Sequence, residues 1–223
     1  MGENMNVLYI SNLTGNLFAG PNNSVPAQIK AQSQIDNVFW YNINNVKREE
    51  WKKINCYNLK DYPSGRLKDL PEPFNKPDIA VIEEFYCFPF CKIIEDINEN
   101  SIPYIIIPRS ELTKKAQIRK KVKKFIGNIC YFKKMANNAS AIQFLSKQEK
   151  ADSGDKWNKN DFIISNGISI PEEKMENFSK DKIRATYIGR YEIYQKGLDI
   201  LLDAVSDLQN NLRAANFVLN MYG

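Results

Sequence analysis

The chain has 223 residues, of which 43% are hydrophobic and 26% are charged, with a net charge of +5 at neutral pH. This is the composition of a globular protein that is long enough to bury a core without disulfide or metal staples. No histidine occurs, which excludes Ser-His-Asp and Cys-His catalysis and histidine metal sites, and leaves proton transfer to carboxylates, lysine, tyrosine or the substrate.

Short apolar runs alternate with helical patterns along the chain. The predicted strands are residues 7–10, 38–41, 77–82, 102–108, 140–145, 161–165, 183–188 and 217–223. The predicted helices are residues 26–35, 88–98, 113–136, 147–150 and a last helix that begins at 198. Residues 11–24 are predicted to form a loop, and the proline-rich segment 42–77 loops with short elements. This alternation predicts an α/β fold, with a Rossmann-like parallel sheet flanked by helices.

Two local signals refine this pattern. Gly127 and Asn128 are expected to break the helix at 113–136, because glycine lowers helix stability. Ser146, followed three residues later by Glu149, is the signature of a capping box at the start of the next helix.

The pattern also predicts three parts of the chain. Residues 1–165 form a first Rossmann-like domain, and residues 166–182, with Pro171 and a charged run, form a connector. The remainder, 183–223, is one strand-helix-strand unit, which is too small for a normal domain and whose last strand needs neighbours on both edges. We therefore expect residues 183–223 to be the incomplete start of a second Rossmann-like domain.

Two cations and two glycines lie in the connection between the strand at 183–188 and the helix that follows. Gly189-Arg190 ends the strand, and Lys196-Gly197 precedes the helix. The N–H groups at a helix N-terminus carry partial positive charge, and α/β proteins bind phosphates at such connections. The sequence therefore predicts a phosphate site here.

The segment from Gly189-Arg190 to Lys196-Gly197-Leu198-Asp199-Ile200-Leu201-Leu202-Asp203-Ala204 resembles the "GR…KG…LL.A" signature of the retaining glycosyltransferases of family four, which have the GT-B fold. Upstream, residues 20–24 are similar to that family's glycine loop, residues 108–113 to its "P-H/R-G-x-L" segment, and residues 166–168 to its "NG(I/V)" stretch. The resemblance spans nearly the whole chain, and the order and spacing of the motifs make it specific.

The resemblance implies different roles for the two ends of the chain. It assigns the diphosphate of a nucleotide-sugar donor to Arg190 and Lys196, with Gly20 beside it. The implied acceptor-side and sugar-pocket residues are Asn22, Asn23, Ser24, Arg109 and Glu111. Ser110 departs from the family, which has glycine at that position.

By resemblance, the full enzyme transfers a sugar from a nucleotide-sugar to a glycan or lipid-linked acceptor with retention, as in capsular or cell-surface polysaccharide assembly. No metal and no cofactor are implied, because the donor's leaving phosphate accepts the acceptor's proton and positioning with charge stabilisation supplies most of the catalysis. The family's paired-glutamate motif is expected beyond Gly223. We therefore expect the 223-residue chain alone to be a poor catalyst or none.

Two other function classes stay open. A truncated, inactive relative would bind a glycan or a partner, and its exposed strand at 217–223 would favour a homo-oligomer, because an unpaired sheet edge recruits partners. A different Rossmann-like enzyme, such as an epimerase or a nucleotide-binding regulator, would need a GxGxxG turn after the first strand. Gly15 and Gly20 do not supply that spacing.

Adjacent carboxylates, Glu83 and Glu84, follow the predicted strand at 77–82. Neighbours in an extended segment point to opposite sides, so we expect a ligand-facing loop end or a helix start rather than an acid/base pair. Glu111 is either a ligand contact or a cap of the helix N-terminus.

A basic segment follows Arg109, with ten Lys or Arg and one acidic residue between positions 109 and 134. Its apolar face is supplied by Ala116, Ile118, Val122, Phe125 and Ile126. The basic helix 113–134 is either a solvated helix face or a contact to an anionic membrane or a lipid-diphosphate acceptor, by electrostatic attraction without insertion. No nucleic-acid partner is expected, because the overall charge is small and no base-stacking motif is present.

The remaining bulk features concern thiols and location. The four cysteines, Cys56, Cys87, Cys91 and Cys130, lack the spacing of a disulfide framework or zinc ribbon and are predicted to be free thiols in or near the core. The polar N-terminus and the short apolar runs predict neither a signal peptide nor a membrane span. We therefore expect a cytoplasmic protein, peripheral at the inner face of the cell membrane where the basic helix meets lipid.

Overall fold

The computed structural model describes residues 4–16, 18–46, 48–87, 90–168, 170, 182–191 and 193–223. The chain forms two compact units, residues 1–168 and 169–223. The first contains a seven-stranded sheet and the second a two-stranded sheet, and the strands of both pair in parallel. The predicted α/β class, with helices flanking a parallel sheet, is confirmed.

The elements of the first unit alternate as the sequence predicts. Its strands are β1 (Asn6–Ser11), β2 (Asn37–Asn42), β3 (Cys56–Asn58), β4 (Ile79–Glu83), β5 (Tyr104–Ile107), β6 (Ala141–Phe144) and β7 (Asp161–Ile163). Its helices are α1 (Pro21–Gln32), α2 (Glu49–Lys52), α3 (Cys91–Glu99), α4 (Lys114–Ile118), α5 (Lys121–Gly127), α6 (Lys133–Asn138) and α7 (Lys147–Ser153). A 3₁₀ turn covers Leu67–Asp69, and a π-helical turn covers Asn128–Phe132 between α5 and α6.

The seven strands lie in the order β3-β2-β1-β4-β5-β6-β7. The chain order therefore reverses between β1 and β4. At such a switch point the connections leave in opposite directions and open a crevice beyond the carboxyl ends of the strands, which is where open α/β sheets bind ligands.

Both faces of this sheet are buried. Along β1, Val7 and Tyr9 belong to one hydrophobic cluster, whereas Leu8 and Ile10 belong to another on the opposite face. Since every position of such a strand meets apolar neighbours, the strands read as continuous apolar runs. This is why the sequence located them so closely.

Two helical predictions need correction. α1 begins at Pro21 rather than at Pro26, because Pro21 takes the first helical position, where a missing N–H costs nothing. The predicted loop at 20–24 is therefore the first turn of a helix. The predicted helix 113–136 is interrupted earlier than expected, at Arg119 and Lys120, where Lys120 has a left-handed φ of 58°. Near Gly127 the helix continues through the π-helical turn.

The second unit is a strand-helix-strand arrangement. Its elements are β8 (Ile183–Ile188), α8 (Ile193–Lys196), α9 (Leu198–Asp207), α10 (Gln209–Ala214) and β9 (Phe217–Tyr222). β8 and β9 pair in register from Ile183 opposite Phe217 to Ile188 opposite Tyr222. The domain boundaries at 165 and 182 stay predictions, and residues 171–181 of the predicted connector lie outside the described residues.

Two bulk predictions can be compared with the structure. Cys56 and Cys87 are buried and Cys91 is partly buried, whereas Cys130 is exposed, away from the core in which it was expected. Within the described parts of the chain, no helix combines the length and the apolar content that a bilayer crossing requires.

Candidate functional site

Three residues at the carboxyl ends of β4 and β5 have left-handed backbone conformations. Glu84 has a φ of 77°, Arg109 of 47° and Ser110 of 68°. Residues other than glycine avoid the left-handed region, and the backbone strain of such residues is concentrated at functional sites. Ser110 adopts the conformation that glycine would adopt more easily, so the departure from the family's glycine leaves the left-handed turn in place.

Arg109 connects four parts of the first unit. Its Nε donates to Glu83 Oε2 at 2.7 Å, and its Nη1 donates to Ser24 Oγ at 3.0 Å and to Asn166 Oδ1 at 3.2 Å. Its Nη2 donates to Gln28 Oε1 at 3.3 Å. We call these five residues the Arg109 network. It joins the end of β4, helix α1 and the segment after β7, next to the switch point of the sheet.

The ion pair at the centre of the Arg109 network is buried. The side chains of Arg109 and Glu83 are 4% and 0% exposed. Burial raises the pKa of Glu83, and the Arg109 guanidinium opposes that rise. Glu83 Oε1 has no hydrogen-bond partner among the described residues. A buried acceptor without a donor is costly, so this oxygen calls for a donor inside the protein, such as a buried water molecule.

Glu84 lies beside this pair and has an altered acidity. Burial, together with the carboxylates of Glu111 and Glu83, raises the pKa of Glu84 to about 8, against the opposing charge of Arg109. At neutral pH this carboxyl group is therefore largely protonated. A neutral acid both donates and accepts a hydrogen bond, which suits it to contact a hydroxyl group.

The pKa of Glu84 predicts a pH dependence of stability. Between the ordinary value of 4.5 and about 8, the folded state holds a proton that the unfolded state releases, so stability falls as the pH rises through this window. We expect Glu84→Gln to remove this decline. Between about pH 5 and pH 8, its free energy of unfolding should rise relative to that of the wild type by about 1 kcal/mol or more. Urea unfolding at both pH values measures it. The exposed Glu99→Gln is the control, and equal pH slopes for wild type and Glu84→Gln would contradict the prediction.

Two buried or partly buried carboxylates shape the loops around the site. Glu111 Oε2 accepts from the backbone N–H groups of Phe85 and Tyr86, at 2.5 and 3.0 Å. Helix α4 is capped instead by Thr113, whose side chain accepts from the N–H of Ala116. Glu111 is thus not the helix cap that one prediction proposed, and its role as a ligand contact stays a prediction.

Glu149 is a residue of this region that the sequence did not indicate. Ser146 Oγ caps α7 by accepting from the N–H of Glu149 at 3.0 Å, as the capping box predicts. The Glu149 carboxylate, however, accepts from the N–H groups of Ser110 and Leu145. It therefore holds the left-handed turn that carries Arg109. The only sequence signal was the spacing to Ser146.

The other predicted residues of α1 have different surroundings. Gly20 is the N-cap residue, and a Cβ at this position would have no neighbour within 4 Å, so open space adjoins the helix start. Asn22 is buried and binds the N–H of Gly15 and the carbonyl of Asn16, which holds the loop after β1. Asn23 is exposed.

The predicted phosphate connection lies between β8 and α9 in the second unit. Gly197 is the N-cap residue of α9 with a left-handed φ of 61°, a conformation that favours glycine. Lys196 passes over Gly189, since its Cε lies 3.9 Å from the place of a Cβ on that glycine. The Tyr187 hydroxyl donates to the carbonyl of Arg190 at 2.8 Å. Arg190 and Lys196 are both exposed.

No protein-family profile matches the chain, and no curated protein matches it by sequence. Among solved structures, the glycotransferase of kitacinnamycin is similar to this chain at 13% identity with a TM-score of 0.52, over 99% of this chain and 66% of that one. The chain has a Rossmann-like α/β fold of the GT-B type. At this identity the likeness concerns the fold alone, and membership of retaining family four stays a prediction.

Two other solved structures have lower TM-scores. MurG of Acinetobacter baumannii is 12% identical with a TM-score of 0.49, over 97% of this chain and 65% of that one. TcCGT1 in complex with UDP is 8% identical with a TM-score of 0.44, over 84% of this chain and 58% of that one. The chain thus spans between 58% and 66% of the lengths of these three structures.

Proposed function

We propose that the chain belongs to a glycosyltransferase that transfers a sugar from a nucleotide-sugar to a glycan or lipid-linked acceptor with retention. The observation that carries the proposal is the Arg109 network, because it joins three predicted segments of the chain beside the switch point of a GT-B sheet. Retention, a hexose as the transferred sugar and a place in cell-surface polysaccharide assembly follow from the family resemblance and are part of the proposal.

The first unit supplies groups suited to a polyhydroxylated acceptor. Ser24 and Gln28 offer a hydroxyl and an amide, and the protonated Glu84, which is partly exposed, offers a donor and an acceptor. Sugars are recognised through such mixed sets of donors and acceptors. We therefore assign the carboxyl edge of the seven-stranded sheet to the acceptor and to the transferred sugar.

The second unit is proposed to hold the donor diphosphate. The ten-residue helix α9 opens at Gly197, and its first N–H groups carry partial positive charge. Arg190 and Lys196 add two full charges in the same connection. In the proposed reaction they stabilise the charge that develops on the leaving phosphate, which itself takes the proton of the acceptor hydroxyl.

Saturation-transfer NMR on the 223-residue chain tests the proposal. UDP-glucose, UDP-N-acetylglucosamine and GDP-mannose are each mixed with the chain, and saturation of both the sugar and the nucleotide protons is expected for at least one donor. Unlabelled UDP or GDP should compete. Transfer of saturation to a glycan acceptor, but to none of the three donors, would favour the alternative of an inactive binding module. That result would contradict the proposal.

A further inference from the structure

A row of apolar side chains faces solvent on α5 and the elements next to it. Val122, Phe125, Ile126 and Ile129 are 74%, 63%, 56% and 69% exposed, and Ile118 in α4 is 72% exposed. The spacing from Val122 to Ile129 places those four side chains on one side of the helix. Single exposed apolar residues are ordinary, whereas a contiguous row of them marks an interaction surface. We call these five residues the outer apolar face.

The opposite side of the same helix is fixed to the first unit. Phe132 is buried, and its ring lies against the rings of Phe85 and Tyr86, with centroids 5.6 and 5.0 Å away. The Tyr86 hydroxyl lies 2.9 Å from Gln117 Oε1 and 3.0 Å from Asn128 Oδ1. The outer apolar face is therefore a preformed feature of the fold, because the elements that carry it pack through their inner side.

The charge around the outer apolar face has one sign. From Leu112 to Gln148 the chain has ten Lys or Arg and no acidic residue. The exposed cations that flank the face in sequence are Lys114, Lys115, Arg119, Lys120, Lys121, Lys123, Lys133 and Lys134. A surface with apolar side chains among cations complements an anionic bilayer, where the cations meet phosphates and the apolar groups enter the headgroup boundary.

Other occupants fit these features less well. A second copy of the chain on this face would bring two sets of like charges together, which opposes association. A nucleic acid would satisfy the cations and leave the apolar row in water. An anionic lipid surface satisfies both parts at once.

We propose that the outer apolar face and its flanking cations dock the chain on an anionic lipid bilayer, with Phe125 and Ile126 inserted below the headgroups. Insertion goes beyond the purely electrostatic contact that the sequence predicted. The docking does not depend on the sugar transfer proposed above, and it is tested without any nucleotide-sugar.

Vesicle binding of the 223-residue chain tests the docking. Vesicles of phosphatidylcholine with phosphatidylglycerol are compared with vesicles of phosphatidylcholine alone, and binding is expected only to the anionic ones. The Phe125→Gln, Ile126→Gln double variant should lower the partition coefficient about tenfold or more, since two apolar side chains lose their burial. The control is Met5→Gln with Ile35→Gln, which also changes two exposed apolar residues but lies at the amino-terminal edge of the sheet.

A fluorescent variant separates insertion from electrostatic contact. Trp40, Trp51 and Trp157 are at most 2% exposed, so their emission should not respond to lipid. The emission of Phe125→Trp is expected to shift to the blue on anionic vesicles and to be quenched by lipids with shallow bromine labels. Four results would each overturn the proposal. Two concern lipid: an emission of Phe125→Trp that does not shift on anionic vesicles, and equal vesicle binding by the Gln double variant and the wild type. Two concern other occupants: self-association of the chain that the Gln double variant abolishes, and tighter binding to single-stranded RNA than to vesicles.

Discussion

Replacing Arg109 by methionine is expected to lower the free energy of unfolding by about 3–5 kcal/mol at neutral pH, because it leaves Glu83 as a buried carboxylate without its partner. The side chains of both residues are almost fully buried, so water cannot replace the lost guanidinium. The variant also removes the contacts to Ser24, Gln28 and Asn166. Urea unfolding at neutral pH measures the loss.

Two further variants show whether the loss arises from the stranded charge. Glu83→Gln in the Arg109→Met background should recover a large part of the stability, since it removes the unpaired carboxylate, and a double-mutant cycle gives the coupling. Lys52→Met breaks the exposed ion pair to Glu49 and should cost about 0.5 kcal/mol or less. Two results would show that the pair of Arg109 and Glu83 does not stabilise this edge of the sheet. One is an equal loss of unfolding free energy in Arg109→Met and Lys52→Met, and the other is no recovery of stability in the double variant.

The sequence predicted the strands of the sheet more closely than the helix starts. Strands buried on both faces are uniform apolar runs with clear ends, as β1 and β5 illustrate. The start of α1 was misplaced because Pro21 and Pro26 are both compatible with a first turn. The interruption at Lys120 carries no glycine or proline, so nothing in the sequence indicated it.

Several members of the candidate site were predictable from the sequence, whereas Gln28, the tertiary role of Glu149 and the contacts among the members were not. Ser24 and Arg109 were both singled out, yet they lie 85 positions apart, and only the sheet order brings them together. The raised pKa of Glu84 depends on two other carboxylates, its neighbour Glu83 and Glu111, which comes from a different segment of the chain. Likewise, the spacing of Ser146 and Glu149 predicted the helix cap, while the tertiary contact from Glu149 to Ser110 required the fold.

The second large effect is expected at the connection between β8 and α9. Replacing Arg190 and Lys196 together by alanine should weaken nucleoside diphosphate binding about 100-fold or more, because each charge-assisted hydrogen bond to a phosphate contributes about 1.5–3 kcal/mol. The matched control is Lys182→Ala with Arg213→Ala, which removes one lysine and one arginine from elsewhere in the same unit. Both double variants lower the net charge equally, so a general effect of charge would weaken nucleotide binding by the same factor in both.

Isothermal titration of the 223-residue chain with UDP and with GDP tests the proposed donor site most directly. We expect micromolar binding of at least one nucleotide by the wild type, unchanged binding by the Lys182, Arg213 control and loss of binding in the Arg190, Lys196 double variant. A folded wild-type chain that binds neither nucleotide, or a double variant that binds as tightly as the wild type, would contradict the assignment of the donor diphosphate to this connection.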